Sequence, residues 1–336
     1  MTTDSSWFAA DLRRELGARN RLWARGRSYV ESYGSSPVIV YVPEDLRHGN
    51  FFDASYVAIS AKPEWHRRFD KIHAQGRALP KAESGRRWRE LDSSMSSDAL
   101  LMNVFCAPAV QQSAILRRTL GVDQDAEPIF GWKARVPLAG RFDRTEVDMR
   151  WGNLLVEAKL TETDFQTRAA NIVEAYREFD AVFDRDLLPR LEIRTARRRT
   201  AVEFAEEFTQ EWEERAPDPE LALQFQQAIV ARARQAEPAE GGYKSYQLIR
   251  NVLAAHAERC SFCVLHDERR PDLREAWFAV MAAIRSADLR TRCQVLTWQE
   301  LAPLLPDDLQ EFLDLKYGIV RAGETPSLFP GAIPPE

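Results

Sequence analysis

The stretch that decides the fold is residues 145–160, which read TEVDMRWGNLLVEAKL. Side chains alternate across a β-strand, so a strand over residues 145–151 places apolar side chains on one face and polar ones on the other. A second alternating run, residues 154–160, follows Gly152-Asn153, a dipeptide typical of a tight turn. These residues predict a β-hairpin with one apolar and one polar face.

Charged side chains gather on the polar face of this hairpin. Asp148 lies on the first strand, and Glu157 and Lys159 lie on the second. Two carboxylates, a backbone carbonyl and waters suit Mg²⁺, which usually takes only one or two protein carboxylates. A metal there stabilises charge on a phosphate, and a nearby ammonium orients water or neutralises phosphoryl oxygens. The pattern predicts phosphodiester hydrolysis, with Lys159 replaceable without loss of folding.

Asp148 followed by Glu157-Ala158-Lys159 resembles the motif of the PD-(D/E)XK nuclease superfamily. The resemblance implies an α/β fold, with a central mixed sheet flanked by helices in the order αβββαβ. It implies Mg²⁺, with Mn²⁺ as a substitute, held by Asp148, Glu157 and the backbone carbonyl of Ala158. It also implies that Lys159 acts on the attacking water or on the phosphate.

Three shorter strings narrow the resemblance. Residues 91–100 (LDSSMSSDAL), 246–251 (YQLIRN) and 315–318 (LKYG) are similar to a poorly characterised bacterial restriction-endonuclease-like family. Within this resemblance the nuclease core covers residues 94–160 and 241–298. A role in restriction of foreign DNA is implied by family analogy.

Further site positions are weaker candidates. Glu146 shares the polar face with Asp148, so it is an additional candidate metal ligand. Superfamily members often add an acid from the first helix, where this chain offers Asp98 or Asn103. The resemblance implies that Gln247 faces the site as a catalytic residue, and Asn251 lies one turn further along the same helix.

Basic residues outside the hairpin are candidates for contacts with the DNA backbone. A solvated helix face explains such residues equally well. The candidates are Arg194, Arg197, Arg198, Arg199 and Arg250.

The sequence divides into five parts, which are given at the end of this paragraph. In the second part, a first core helix is predicted from N-cap candidates at 94–97 to a C-terminal stop at Gly121. A second acid-x-lysine string, Asp314-Leu315-Lys316, is interpreted as a solvated helix end. The parts are an N-terminal segment on the core (1–90), the first half of the nuclease core (91–162), a helical insertion (163–240), the second half of the core (241–305), and a C-terminal helix with a loose tail (306–336).

Composition excludes several classes of protein. The 336 residues are 45% hydrophobic and 29% charged, which indicates a soluble globular chain. The apolar runs are far shorter than the roughly 18 residues that cross a bilayer. The net charge of −5 argues against a passive DNA coat. The acidic start of the chain lacks a secretory pattern, so we expect a cytoplasmic protein.

The function that the sequence favours is a metal-dependent deoxyribonuclease with DNA as partner and no organic cofactor. Cutting both strands favours a homodimer, since one site per chain cuts one strand. A first alternative is a non-catalytic nucleic-acid-binding protein that retains the nuclease fold. A second is a globular protein-interaction subunit in which the hairpin charges pair across the strands.

Overall fold

The structure is a computed structural model, and it describes residues 5–34, 37–45, 47–73, 79–81, 87–123, 125–138, 141–143, 146–191 and 241–327. The helices are α1 (Ser5–Trp23), α2 (Asp53–Ala61), α3 (Pro63–His66), α4 (Ser97–Phe105), α5 (Pro108–Gln112), α6 (Ala114–Leu120), α7 (Ala170–Val173), α8 (Phe179–Val182), α9 (Tyr246–Glu258), α10 (Pro271–Ala282), α11 (Ala287–Thr291), α12 (Trp298–Leu301) and α13 (Asp307–Tyr317). The strands are β1 (Tyr29–Glu31), β2 (Ile39–Tyr41), β3 (Pro128–Lys133), β4 (Val136–Leu138), β5 (Arg141–Asp143), β6 (Glu146–Trp151), β7 (Leu154–Ala158), β8 (Arg168–Ala169), β9 (Arg190–Leu191), β10 (Gly242–Tyr243), β11 (Ser261–His266) and β12 (Cys293–Thr297).

A mixed sheet forms the centre of the molecule, and its described strands run in the order β12-β11-β7-β6-β3. β6 and β7 form the antiparallel hairpin, with Trp151 opposite Leu154. Gly152 begins the two-residue turn with a φ of 58°, which glycine adopts without steric cost. β11 is parallel to β7 and to β12, whereas β3 is antiparallel to β6. The predicted hairpin and mixed sheet are confirmed.

Helices cover both faces of this sheet. On one face Val156 and Leu265 pack with residues of α1, α4 and α13. On the other face Leu155 and Val264 pack with residues of α9 and α10. The predicted α/β fold with the core order αβββαβ is confirmed. None of the helices in the described ranges is long and apolar enough to cross a membrane.

The burial of β7 differs from the prediction of one apolar and one polar face. All residues of Leu154–Ala158 are buried, because helices lie on both sides of this strand. Glu157 and Lys159 are only 1% and 5% exposed. In β6 the predicted alternation holds, with Val147, Met149 and Trp151 buried and the intervening residues half-buried.

The first core helix begins and ends as predicted but is interrupted. Ser96 caps its start by accepting the Ala99 N–H, and Gly121 ends it with a φ of 67°. Between them the chain forms α4, α5 and α6 in place of one helix. Pro108 has no N–H to donate and disfavours helical backbone at the preceding residue, so the single long helix is wrong.

The predicted helical insertion lies only partly within the described residues. Over 163–191 the structure has the short helices α7 and α8 and the strand segments β8 and β9, so these described residues are less helical than the prediction of a helical insertion. Phe165, Phe179 and Phe183 are buried in the core that contains α9. Leu191 pairs with Gly242, so the described residues on either side of 192–240 lie next to each other.

The second acid-x-lysine string is also placed differently from the prediction. Lys316 lies in the last turn of α13 and is 0% exposed, so its interpretation as a solvated helix end is wrong. Its Nζ has no hydrogen-bond partner among the described residues and lies 4.1 Å from the Tyr317 ring centroid. α1 and β2 enclose this amine, because Asn20 and Tyr41 are also buried there.

Candidate active site

The candidate site lies where β6 and β7 separate. Going from the turn towards the open end, the last pair of the ladder between the two strands is Met149–Val156, and Asp148 lies next to it outside the ladder. Beyond this pair, Oδ2 of Asp148 accepts the backbone N–H of Ala158 at 2.8 Å. A side-chain carboxylate thus takes the place of a backbone carbonyl, and the hairpin opens at this point.

The backbone of Ala158 faces the same opening. On the other side of β7, the Lys159 N–H donates to the Leu265 carbonyl of β11 at 2.8 Å. The Ala158 N–H points the opposite way, towards Asp148. The N–H and C=O of a strand residue leave the chain on the same side. The Ala158 carbonyl, a predicted metal ligand, therefore also points towards β6.

Two side chains hold the buried carboxylate of Glu157. Lys159 Nζ donates to Oε1 at 2.9 Å, and Asn251 Nδ2 donates to Oε2 at 2.7 Å. Asn251 is itself fixed, because Oδ1 accepts the Arg250 Nε and Nη2 hydrogens at 3.1 and 2.8 Å. Helix α9 thus sets the orientation of Glu157.

Burial and neighbouring charges raise the pKa values of both Asp148 and Lys159. Burial raises the pKa of Asp148 well above its usual value, and Glu157 and Asp98 raise it further. Burial alone would lower the pKa of Lys159, but Glu157 and then Glu162 outweigh it, so that pKa is raised. Acids that repel one another beside a charged lysine form an arrangement that a bound cation relieves.

Two more acids flank Asp148, and both pair with the N-terminal segment. Arg68 donates from Nη2 to Asp98 Oδ2 at 2.6 Å and from Nη1 to Glu146. Lys71 Nζ donates to the same oxygen of Asp98 at 3.0 Å. Burial would raise the pKa of Asp98, but Lys71 and Arg68 overcome burial and lower it. The sequence of residues 1–90 predicts no catalytic or binding residue, so the contacts of Arg68 and Lys71 with these acids are found only in the structure.

The chain after Lys159 is anchored by a buried arginine. Arg270 is 0% exposed and donates to the carbonyls of Glu162 and Thr163 at 2.7 and 3.0 Å. Its charge is balanced by Asp272 at 2.8 Å. This loop therefore leaves the end of β7 in a fixed direction and keeps Glu162 near Lys159.

The remaining candidate residues divide between the site and other places. Asp98 is the acid of the first helix that lies beside the site. Asn103 instead accepts the Phe52 N–H, remote from the hairpin. Gln247 is half-buried, and its side chain forms no hydrogen bond to Glu157 within the described part of the chain; Asn251 does. The predicted arginine cluster 194–199 lies outside the described residues.

Arg250 requires a correction, because the sequence makes it a candidate for contact with the DNA backbone or for a solvated helix face, and both need an exposed side chain. The structure places it in the interior, at 3% exposure. Its guanidinium contacts Asn251 and donates to the Glu146 carbonyl at 2.8 Å. Phosphates cannot reach a side chain in this position, and its contacts hold α9 against β6.

The donor set of the site fits a small, hard cation. Within the described ranges, no group of three or more His, Cys, Asp or Glu side chains converges in a metal-binding arrangement. Asp148 and Glu157 with the Ala158 carbonyl match Mg²⁺, which uses one or two carboxylates and keeps several waters. Oδ1 of Asp148 has no hydrogen-bond partner among the described residues, so one oxygen of this carboxylate is left for a cation.

A mixed sheet whose hairpin carries these residues, covered by helices on both faces, defines a restriction-endonuclease-like α/β protein. The family described as Restriction Endonuclease associating with ARP matches residues 18–318, and the chain belongs to this family. The expected resemblance to a restriction-endonuclease-like family is confirmed. Membership implies a nuclease-like role with DNA as the substrate. Comparison with curated proteins and with solved structures gives no significant match.

Proposed function

We propose that this protein is a Mg²⁺-dependent endonuclease that hydrolyses DNA phosphodiester bonds by attack of water. The observation that carries the proposal is the meeting of Asp148, Glu157 and Lys159 at the open end of the hairpin. The Glu157–Lys159 contact of 2.9 Å and the Asp148–Ala158 contact of 2.8 Å fix their relative positions. The family supports nuclease activity. The string Asp148 and Glu157-Ala158-Lys159 resembles the motif of the PD-(D/E)XK nucleases.

Asp148, Glu157 and the Ala158 carbonyl would hold the metal ion, with Mn²⁺ as a substitute for Mg²⁺. When bound, such an ion stabilises charge on the phosphate and lowers the pKa of a bound water. Asn251 contributes by holding Oε2 of Glu157, since partners of ligands orient them and tune their affinity. The two carboxylates are thereby presented in fixed directions.

Lys159 supplies a positive charge next to these carboxylates. Its pKa is raised, because Glu157 and Glu162 outweigh the effect of burial, so the ammonium persists at neutral pH. An ammonium has three hydrogens, of which one reaches Glu157. The others can hold a water molecule or a phosphoryl oxygen in the position that hydrolysis requires.

Restriction of foreign DNA is the biological role that we attach to this activity, on the strength of the family alone. Cleavage of both strands requires two sites, so we expect a homodimer if the product is a double-strand break. The charges at the site fit hydrolysis of a phosphodiester bond, and they do not specify which DNA sequence is cut.

The test is cleavage of a plasmid with Mg²⁺, with Mn²⁺ and with EDTA by the wild type and by Asp148→Asn. The asparagine retains an oxygen for the Ala158 N–H, so the variant should fold. We expect metal-dependent cleavage by the wild type and a loss of at least about 100-fold in the variant. Asp70→Asn is the matched control, because the Asp70 side chain is 72% exposed.

Two results would contradict the proposal. DNA binding by the wild type without metal-dependent cleavage would favour a non-catalytic nucleic-acid-binding protein. Absence of both metal binding and DNA binding would favour a protein-interaction subunit.

A further inference from the structure

A glycine in the edge strand β3 lies across from Asp148 in the register of β3 and β6. Gly131 has a φ of 68°, in the left-handed region that residues with a side chain rarely adopt. A Cβ at this position would overlap the Arg68 guanidinium and lie 3.0 Å from Cδ of Glu146. The missing side chain therefore leaves a notch in β3, and the end of Arg68 occupies it.

Arg68 reaches through this notch to two acids on different elements. One nitrogen pairs with Glu146 on β6, and the other pairs with Asp98 on α4 at 2.6 Å. The planar guanidinium can bridge two carboxylates at once, which a single ammonium does less well. Only 11% of the Arg68 side chain is exposed, so the bridge is largely shielded from screening by salt.

The net charge of the seven groups named below depends on this bridge. With every group ionised, four acids and three cations leave a net formal charge of −1, and loss of Arg68 makes it −2. DNA phosphate is an anion, so each uncovered carboxylate opposes its approach. The acids are Asp98, Glu146, Asp148 and Glu157, and the cations are Arg68, Lys71 and Lys159.

We propose that Arg68 is a positioning residue of the candidate active site, an inference that rests on the proposed nuclease function. By bridging Asp98 and Glu146 it holds both carboxylates away from the metal position and lowers the negative charge that a DNA phosphate meets there. The N-terminal segment thus completes a site whose reacting residues lie on the sheet. Glu146 accordingly acts through its pair with Arg68 and not as a metal ligand.

The first arm of the test is binding of a 30-base-pair duplex in EDTA, which needs no metal and no cleavage. Arg68→Gln should weaken binding by about fivefold or more, the effect of one unscreened charge a few ångströms away in water. Arg67→Gln is the matched control, because Arg67 is exposed in the same turn and pairs with no described acid. The double variant Arg68→Gln/Glu146→Gln should recover most of the lost affinity.

The second arm counts bound Mn²⁺ by electron paramagnetic resonance without DNA. Arg68→Gln should bind Mn²⁺ more tightly or in larger number than the wild type, because it uncovers Glu146 and leaves Asp98 paired only with Lys71. The added Glu146→Gln change should reverse this gain. If Arg68→Gln does not fold, Arg68→Lys replaces it, since one ammonium pairs with one acid and should give intermediate values in both arms.

The inference is overturned if Arg68→Gln binds DNA as Arg67→Gln does, or if Glu146→Gln restores neither DNA affinity nor the Mn²⁺ count. A purely structural role for Arg68 gives no such rescue. Wild-type cleavage is measured in parallel and decides the proposed function separately. Cleavage by the wild type together with unchanged DNA binding by Arg68→Gln would remove the inference and leave the function standing.

Discussion

Replacement of Lys159 by methionine would test how the buried pair at the centre of the site is held. The change removes the charge and keeps most of the volume. Glu157 would then remain 1% exposed, with Asn251 as its hydrogen-bond partner. Removal of one partner of a buried ion pair typically costs about 3–5 kcal/mol, because the remaining charge stays desolvated. Whole domains are stable by about 5–15 kcal/mol, so this is a large part of the total.

Equilibrium unfolding in urea at pH 7 measures this cost. Lys62→Met is the matched control, because Lys62 pairs with Glu127 at 2.8 Å but both side chains are partly exposed, at 31% and 64%. Exposed pairs contribute about 0–1 kcal/mol. The double variant Lys159→Met/Glu157→Gln should recover much of the loss. A cost for Lys159→Met no greater than that of Lys62→Met would refute the buried pair.

Three further predictions concern α9, α13 and the arginine cluster. Asn251→Ala should lower Mn²⁺ affinity and the rate of DNA cleavage by about 10–100-fold, because it removes the side chain that holds Glu157. Gln247→Ala should lower the affinity and the rate by less. Mn²⁺ titration and initial cleavage rates measure this, and equal effects of the two variants would contradict it. Lys316→Met should raise the unfolding free energy at pH 7 by about 1–3 kcal/mol, the cost of an unpaired buried polar group. Burial lowers the pKa of Lys316 in the folded state only, so the unfolded state binds one proton more between the folded and the unfolded pKa. The unfolding free energy of the wild type should therefore rise with pH until the pH reaches the unfolded pKa of lysine. Urea unfolding at several pH values should show this rise in the wild type and not in Lys316→Met. Alanine at Arg197–Arg199 should reduce the slope of log affinity against log salt by about 0.9 for each lost phosphate contact, and an unchanged slope would mean that the cluster does not touch DNA.

The hairpin and its immediate surroundings could be predicted from local sequence. Alternation in residues 145–151, the Gly152 turn and the caps at Ser96 and Gly121 depend on contacts between near neighbours. The interruption of the first core helix was also readable, since Pro108 is a standard breaker. Local patterns of this kind place the acids and the lysine on two adjacent strands.

Features that depend on distant segments were not predictable. β7 is buried on both faces because α9, about 90 residues later in the sequence, covers its second face. The sequence pattern of β7 itself does not indicate this burial. The pattern of α9 shows that Gln247 and Asn251 lie on one side, but the distance from the strand decides which of them reaches Glu157. Arg68 pairs with Glu146, which lies 78 residues later in the sequence. The one local signal of this contact is Gly131 within β3, since a glycine inside a strand often marks the close approach of another group.

The most direct test of the account is an anomalous difference map from crystals of the wild type soaked in Mn²⁺. We predict one peak within about 2.0–2.6 Å of carboxylate oxygens of both Asp148 and Glu157, next to the Ala158 carbonyl. A peak bound to Asp98 and Glu146 with Arg68 displaced, or no peak at the end of the hairpin, would contradict the proposed metal site.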